Sequence, residues 1–305
     1  MRVQIKNILC TTDFSDFSNY AIPYAIRLAK EFNAKLYVCH VVDITPVAAY
    51  DGAVVQWVDQ QKAVTEYAQE QLNQMIGELS LDVESLVVEG HPVDDITRIA
   101  GEKQIDLAIA ATHGRSGLKR VVLGSVTERL IQTLPCPLMS IRSPEKEIRI
   151  PSDQEIRMNR ILVGCDFSAD SLLAVEYALS LAQEFQSELH LAHVIEPPIY
   201  KHLFKQDTKP SEDLRERMRE PLDGMLNKMI PEEAGHWCRH TTVLLAGQPH
   251  EELTRYALVN DVDLIVLGIR GHGLVETLLV GSTTDRVIRQ AQCPVLSVRA
   301  MPGRD

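Results

Sequence analysis

Several things are scarce in this sequence, and each scarcity excludes something. Six cysteines among 305 residues, none in a C-x-x-C pair, exclude a disulfide framework. Cys10, Cys39, Cys136 and Cys293 lie in or beside apolar runs, which reads as buried thiols in a reducing compartment. Basic residues are outnumbered: 31 Lys and Arg against 42 Asp and Glu give a net charge of −11. A chain of that sign is a poor partner for nucleic-acid phosphates or anionic membrane surfaces. No run approaches 18 apolar residues, so no membrane span is predicted. The opening MRVQIKNILCTTDFSD turns polar after one short apolar run, unlike a secretory signal. The expectation is a soluble, cytoplasmic protein. There is no GxxxxGK[ST], hence no P-loop lysine, and no GxGxxG after the first strand, hence no dinucleotide fingerprint.

What is present is a duplication. NILCTTDFSD at residues 7–16 matches RILVGCDFSAD at 160–170, pairing Asp13 with Asp166. His40 and His193 pair at the same offset of 153. Further on, Gly90 pairs with Gly247, Asp106 with Asp263 and Gly114 with Gly271, at an offset of 157. The second copy therefore carries four extra residues, placed by the comparison near Tyr200 to Pro221. Repeats of this length are domains rather than solenoid units. The expected boundaries are residues 1–143 for the first domain and 160–305 for the second. Residues 144–159, charged and without apolar period, read as an exposed linker.

Each copy alternates β-rich apolar runs with helical patterns. In the first, NILCTT, KLYVCHVV, ESLVVEG, IDLAIAAT and PLMSIR read as strands. SNYAIPYAIRLAKEF, residues 58–79, PVDDITRIAGEK and a segment from Ser125 read as helices. Strands separated by helices run parallel with right-handed crossovers. The fold class is α/β: two tandem flavodoxin-like, Rossmann-like domains, each a five-stranded parallel sheet of order 3-2-1-4-5 with helices on both faces. Strands 1 and 4 flank the switch point, where such sheets bind ligands.

Two motifs fall on that crevice. Asp13 and Asp166 end the first strands. GIRGHGLVETLLVGS places Gly268, Gly271, Gly281 and Ser282 at the end of strand 4 and the start of the last helix. Glycines let backbone N–H groups approach an anion, and a helix N-terminus favours a phosphate. An aspartate beside them could accept hydrogen bonds from a ribose or base. A structural alternative stands beside this reading. Ser125-x-x-Glu128 and Ser282-x-x-Asp285 fit capping boxes, which would make both serines N-caps with no ligand. In the first copy Ala111 replaces the leading glycine, while Gly114, Gly124 and Ser125 remain. The substitution costs little if that position is ordinary β backbone, and more if it has positive φ or touches a ligand.

The whole chain resembles a tandem universal stress protein, each half matching one family domain. The spacing G-x2-G-x9-G-(S/T) at Gly268, Gly271, Gly281 and Ser282 carries the likeness. The resemblance implies a stress-response role and ATP as the bound ligand; magnesium could accompany it. It implies that Gly164, Cys165, Asp166 and Val194 line an adenosine pocket, with Leu267 flanking the base. Gly268, Ile269, Arg270, Gly271, His272, Gly273 and Leu274 would surround the phosphates, with Gly281, Ser282, Thr283 and Thr284 opposite. By the same match the first copy offers a second nucleotide site. Thr12, Asp13 and Val41 would lie on its base side, and Thr112, His113, Gly114, Gly124, Ser125, Val126 and Thr127 on its phosphate side. Single-domain relatives imply pairing through strand 5, so the two copies are expected to pair internally about a pseudo-twofold axis. The chain could also form a homodimer or carry an unidentified protein partner.

No nucleophile–base pair stands out, so no catalytic residue is assigned. The rival readings are a slow ATPase at the same crevice and a nucleotide-free interaction module. HWCRH sets His236, Cys238 and His240 on one face if extended, but three ligands within five residues and no fourth make a poor zinc site. No metal site is assigned.

Overall fold

The computed structural model describes residues 3–43, 53–77, 79–113, 123–143, 152–196, 212–271 and 280–300. Contacts divide the chain into two units, Gln4–Ile156 and Arg157–Asp305, the latter joined by Met1–Val3. They are called the first and second copy below.

In the first copy, β1 (Asn7–Thr11) is an apolar run whose middle residues are buried. It pairs in parallel with β2 (Lys35–Asp43), Ile8 opposite Leu36, and with β4 (Leu107–Ala111), Ile8 opposite Leu107. β2 pairs with β3 (Val83–Gly90), and β4 with β5 (Leu138–Ile141). The order is β3-β2-β1-β4-β5. The second copy repeats it with β6 (Arg160–Gly164), β7 (Glu188–Ile195), β8 (His240–Ala246), β9 (Leu264–Gly268) and β10 (Val295–Val298), ordered β8-β7-β6-β9-β10. All pairings within each copy are parallel. The order reverses beside the first strand, so crossovers before and after it lie on opposite faces. Residues such as Leu9, Ile109 and Leu162 are buried from both sides, as a doubly covered sheet requires.

The helices of the first copy are α1 (Asp16–Asn19), α2 (Ile22–Phe32), α3 (Ala53–Ile76), α4 (Pro92–Glu102) and α5 (Ser125–Thr133). Those of the second are α6 (Ala169–Phe185), α7 (Glu212–Met229), α8 (Pro249–Val259) and α9 (Ser282–Gln290). One expectation is corrected. The single helix read over SNYAIPYAIRLAKEF is two, α1 and α2, with Pro23 in the first turn of α2. Proline lacks an N–H and its ring crowds the carbonyl four residues back, here that of Asn19. The equivalent residue in the second copy is Glu176, and α6 runs unbroken.

Of the expected linker, residues 152–156 carry structure. Asp153–Glu155 form a 3₁₀ turn closed by a capping box between Ser152 and Glu155. Lys30 on α2 holds Asp153 at 2.6 Å. No described helix is long and apolar enough to cross a membrane.

Candidate functional site

The two copies build the ends of their first strands alike. Thr12 donates its N–H to Cys39 O at 2.9 Å, and Cys165 to Ala192 O at 2.8 Å. Asp13 and Asp166 follow. Each carboxylate accepts from the serine two residues on. Ser15 N lies 3.0 Å from Asp13 Oδ1 and its Oγ 2.5 Å; Ser168 repeats both distances to Asp166. Ser15 and Ser168 then cap α1 and α6. Between aspartate and serine sit Phe14 and Phe167, both left-handed at φ 64°. A bulky L-residue there costs about 1–2 kcal/mol, and such strain gathers at functional sites. Their rings lean on His40 and His193, centroids 4.3 and 4.9 Å apart. Each histidine's Nδ1 reaches the carbonyl of Thr12 or Cys165 at 2.8 Å. A carbonyl only accepts, so Nδ1 carries the hydrogen in both rings.

The glycine side closes onto the same crevice. Ile269 N–H bonds Val298 O, and Gly281 N–H returns to Ile269 O, both at 2.8 Å. Thr284 Oγ donates to Gly268 O at 2.7 Å. The first copy matches: Thr112 to Ile141 O at 2.9 Å, Gly124 to Thr112 O at 2.8 Å, Thr127 Oγ to Ala111 O at 2.7 Å. Gly271 lies directly against Asp166, since a Cβ there would meet Asp166 Oδ2 at 2.5 Å. Ser168 Oγ also donates to Arg270 O at 3.1 Å.

The helix starts decide between the two sequence readings of the serines. The N-caps of α5 and α9 are Gly124 and Gly281, extended at ψ 138° and 141°, and neither end has a side-chain cap bond. The glycine carbonyls accept the first helical bonds, from Glu128 and Asp285. Ser125 and Ser282 are therefore first helical residues, exposed, and the capping boxes are not formed. A capping serine must have extended backbone, and here the glycine before it takes that conformation. Each helix presents its N-terminal N–H groups at the crevice without a side-chain acceptor, the condition under which an anion is stabilised.

The structure thus gathers Asp166, Gly268–Gly271 and Gly281–Thr284 at one end of β6 and β9. Leu267 is buried and packs over Gly164, where a Cβ would meet its Cδ2 at 2.6 Å. Cys165 is also buried, and burial is the main cause raising its thiol pKa. Val41 and Val194 lie near the ends of β2 and β7. His272, Gly273, Leu274 and Gly114 lie outside the described residues. Cys238 is buried with its thiol against Ser187 O, and among the described residues no three side chains gather to hold a metal.

One pair escaped sequence reasoning. Asp170, its side chain 3% exposed, binds Arg270 through Nε and Nη2, both at 2.9 Å. It also accepts the N–H groups of Arg270 and Ala300 at 2.9 Å each. Asp170 raises the arginine pKa, chiefly by hydrogen bonding. The signal was present: the repeat offsets match Asp170 with Phe17 and Arg270 with His113, so both partners change together.

This is a duplicated flavodoxin-like fold, with a glycine-bordered crevice at the switch point of each copy. The family model described as Universal stress protein family matches residues 4–142 and 158–299, and the chain belongs to that family. A universal stress protein of Methanocaldococcus jannaschii is 37% identical over 145 residues, covering 47% of this chain and 85% of its own. One from Synechocystis is 25% identical over 318 residues, covering 97% of this chain and 100% of its own. The crystal structure of a universal stress protein from Archaeoglobus fulgidus shares the fold over 99% of this chain and 98% of its own, with a TM-score of 0.66 and 22% identity.

Proposed function

We propose that this stress-response protein binds ATP in the crevice between β6 and β9, with the crevice between β1 and β4 as a second site. The observation that carries the reading is the start of α9. An N-terminus without a side-chain cap begins at Gly281, on the glycine side of the crevice where Gly271 lies against Asp166. Phosphate oxygens would take the N–H groups of Ser282 to Thr284, and the exposed Ser282 hydroxyl would add a donor. Asp166, held by Ser168 at the end of β6, would accept from the ribose. The strained Phe167 and the hydrogen-bonded His193 hold that aspartate's backbone in place. Magnesium would accompany the phosphates. Binding would stabilise the start of α9 and change the surface offered to a protein partner.

Mass spectrometry of small molecules released from the purified protein, followed by titration with labelled ATP, tests the reading. Recovery of an adenine nucleotide and saturable binding support it. A protein that comes free of nucleotide and does not bind ATP at millimolar concentration refutes it.

A further inference from the structure

Gly268 opens the glycine motif of the second copy, and Ala111 stands in its place in the first. The backbone does not explain the glycine. Among the described residues, the glycines with positive φ are Gly90 and Gly247, not Gly268. The surroundings do explain it. A Cβ on Gly268 would meet the Asp170 carbonyl carbon at 2.6 Å, Ser171 N at 2.7 Å and Asp170 Cβ at 2.8 Å. Two of these are backbone atoms in the first turn of α6, which cannot turn aside as a side-chain tip can. The absent side chain lets α6 lie on β9, and that approach brings the Asp170 carboxylate to Arg270 and Ala300.

We infer that the leading glycine is a helix-packing residue that admits the Asp170–Arg270 pair, and that Ala111 therefore leaves the first crevice able to take the same ligand. For the ligand, this rests on the proposed nucleotide function. Three positions change together between the copies: Gly268, Asp170 and Arg270 become Ala111, Phe17 and His113. The Phe17 and His113 rings sit 6.4 Å apart, an aromatic contact where the other copy has an ion pair. The helix entering that region differs too, α1 ending at Asn19 where α6 continues. On the base side Thr11, Thr12 and Ala110 stand where the second copy has Gly164, Cys165 and Leu267, but the helix start that would meet a phosphate is built alike in both. Gly124 and Gly281 differ by 3° in ψ, and their N–H bonds are both 2.8 Å. The threonine bonds to Ala111 O and Gly268 O are both 2.7 Å.

The test uses the full-length protein with and without ATP. Gly268→Ala lowers the melting temperature by about 5 °C or more with no nucleotide present, because backbone must move. Ala111→Gly changes ATP affinity less than about threefold, and calorimetry finds two nucleotides per chain in wild type and variant alike. The triple variant Gly268→Ala, Asp170→Phe, Arg270→His imports the first copy's set and recovers at least half of the lost melting temperature. If Gly268→Ala keeps its nucleotide-free melting temperature but binds ATP tenfold more weakly, the glycine is a ligand contact and the inference is wrong. A tenfold gain in affinity on Ala111→Gly, or a single nucleotide per chain, overturns it equally. Should Gly268→Ala not fold alone, folding of the triple variant supports the inference and its failure to fold refutes it. If wild-type protein binds no ATP, the nucleotide reading fails, while the nucleotide-free melting data still decide the packing claim.

Discussion

Asp170→Ala is the substitution whose cost can be worked most directly from the structure. The carboxylate accepts four hydrogen bonds, two from the Arg270 guanidinium and two from backbone N–H groups, all at 2.9 Å. Removing it leaves a guanidinium whose side chain is 21% exposed and whose Nη2 still meets the Ala300 carbonyl at 2.8 Å. Breaking a buried ion pair from one side costs about 3–5 kcal/mol. The partial exposure of Arg270 lets water recover some of its solvation, which places the cost near the lower bound, about 3 kcal/mol. That is roughly a 150-fold rise in the opening equilibrium of the surrounding backbone. Hydrogen–deuterium exchange read by peptide mass spectrometry measures it. Peptides covering β9 and the start of α6 exchange about 100-fold faster in the variant, with those covering β1 and β4 as the internal control. Asp170→Asn keeps an acceptor but turns an amide donor toward a cation, so it falls between wild type and alanine. Exchange in β9 and α6 within threefold of wild type would refute the assignment of this pair as a main tie between α6 and the glycine loop.

Gly281 has backbone angles open to any residue, and the bulk of Gly281→Val would meet the phosphates; with folding checked by the nucleotide-free melting temperature, labelled-ATP titration shows affinity falling at least tenfold, and unchanged affinity sinks the site. Ser282→Ala changes stability by less than about 0.5 kcal/mol in urea unfolding, because Gly281 is the cap, whereas Ser168→Ala costs about 1 kcal/mol or more; equal losses would contradict the cap assignment. Burial pushes the thiols of Cys39 and Cys293 from 9.0 up to about 12. Below pH 9 both folded and unfolded chains keep these protons. Between pH 9 and 12 only the unfolded chain releases them, so stability falls by about 1.4 kcal/mol per pH unit for each thiol. Unfolding at pH 8 and 10 spans the onset, a loss of about 1.4 kcal/mol in all for each thiol, which Cys39→Ala should reduce; an identical loss in the variant refutes the assignment.

Much of the architecture follows from the sequence by itself. The repeat of DFS after an apolar run, the alternation of strand and helix patterns and the glycine spacing are local or periodic signals. They suffice for five-stranded parallel sheets with Asp13 and Asp166 at their switch points, because crossover handedness and sheet burial leave few other arrangements. The break at Pro23 was missed by the single-helix reading, although proline acts within its own turn and its signal is local. Other features depended on which backbones meet across long separations. The two serines looked like N-caps by spacing, but the returning hydrogen bonds of Gly124 and Gly281 give the cap conformation to the residue before each. The Asp170–Arg270 pair joins residues 100 positions apart on α6 and the glycine loop. The reason for Gly268 lies outside its own segment. A missing side chain in a sequence shows only that space is needed; the first turn of α6, packed over β9, is what occupies it.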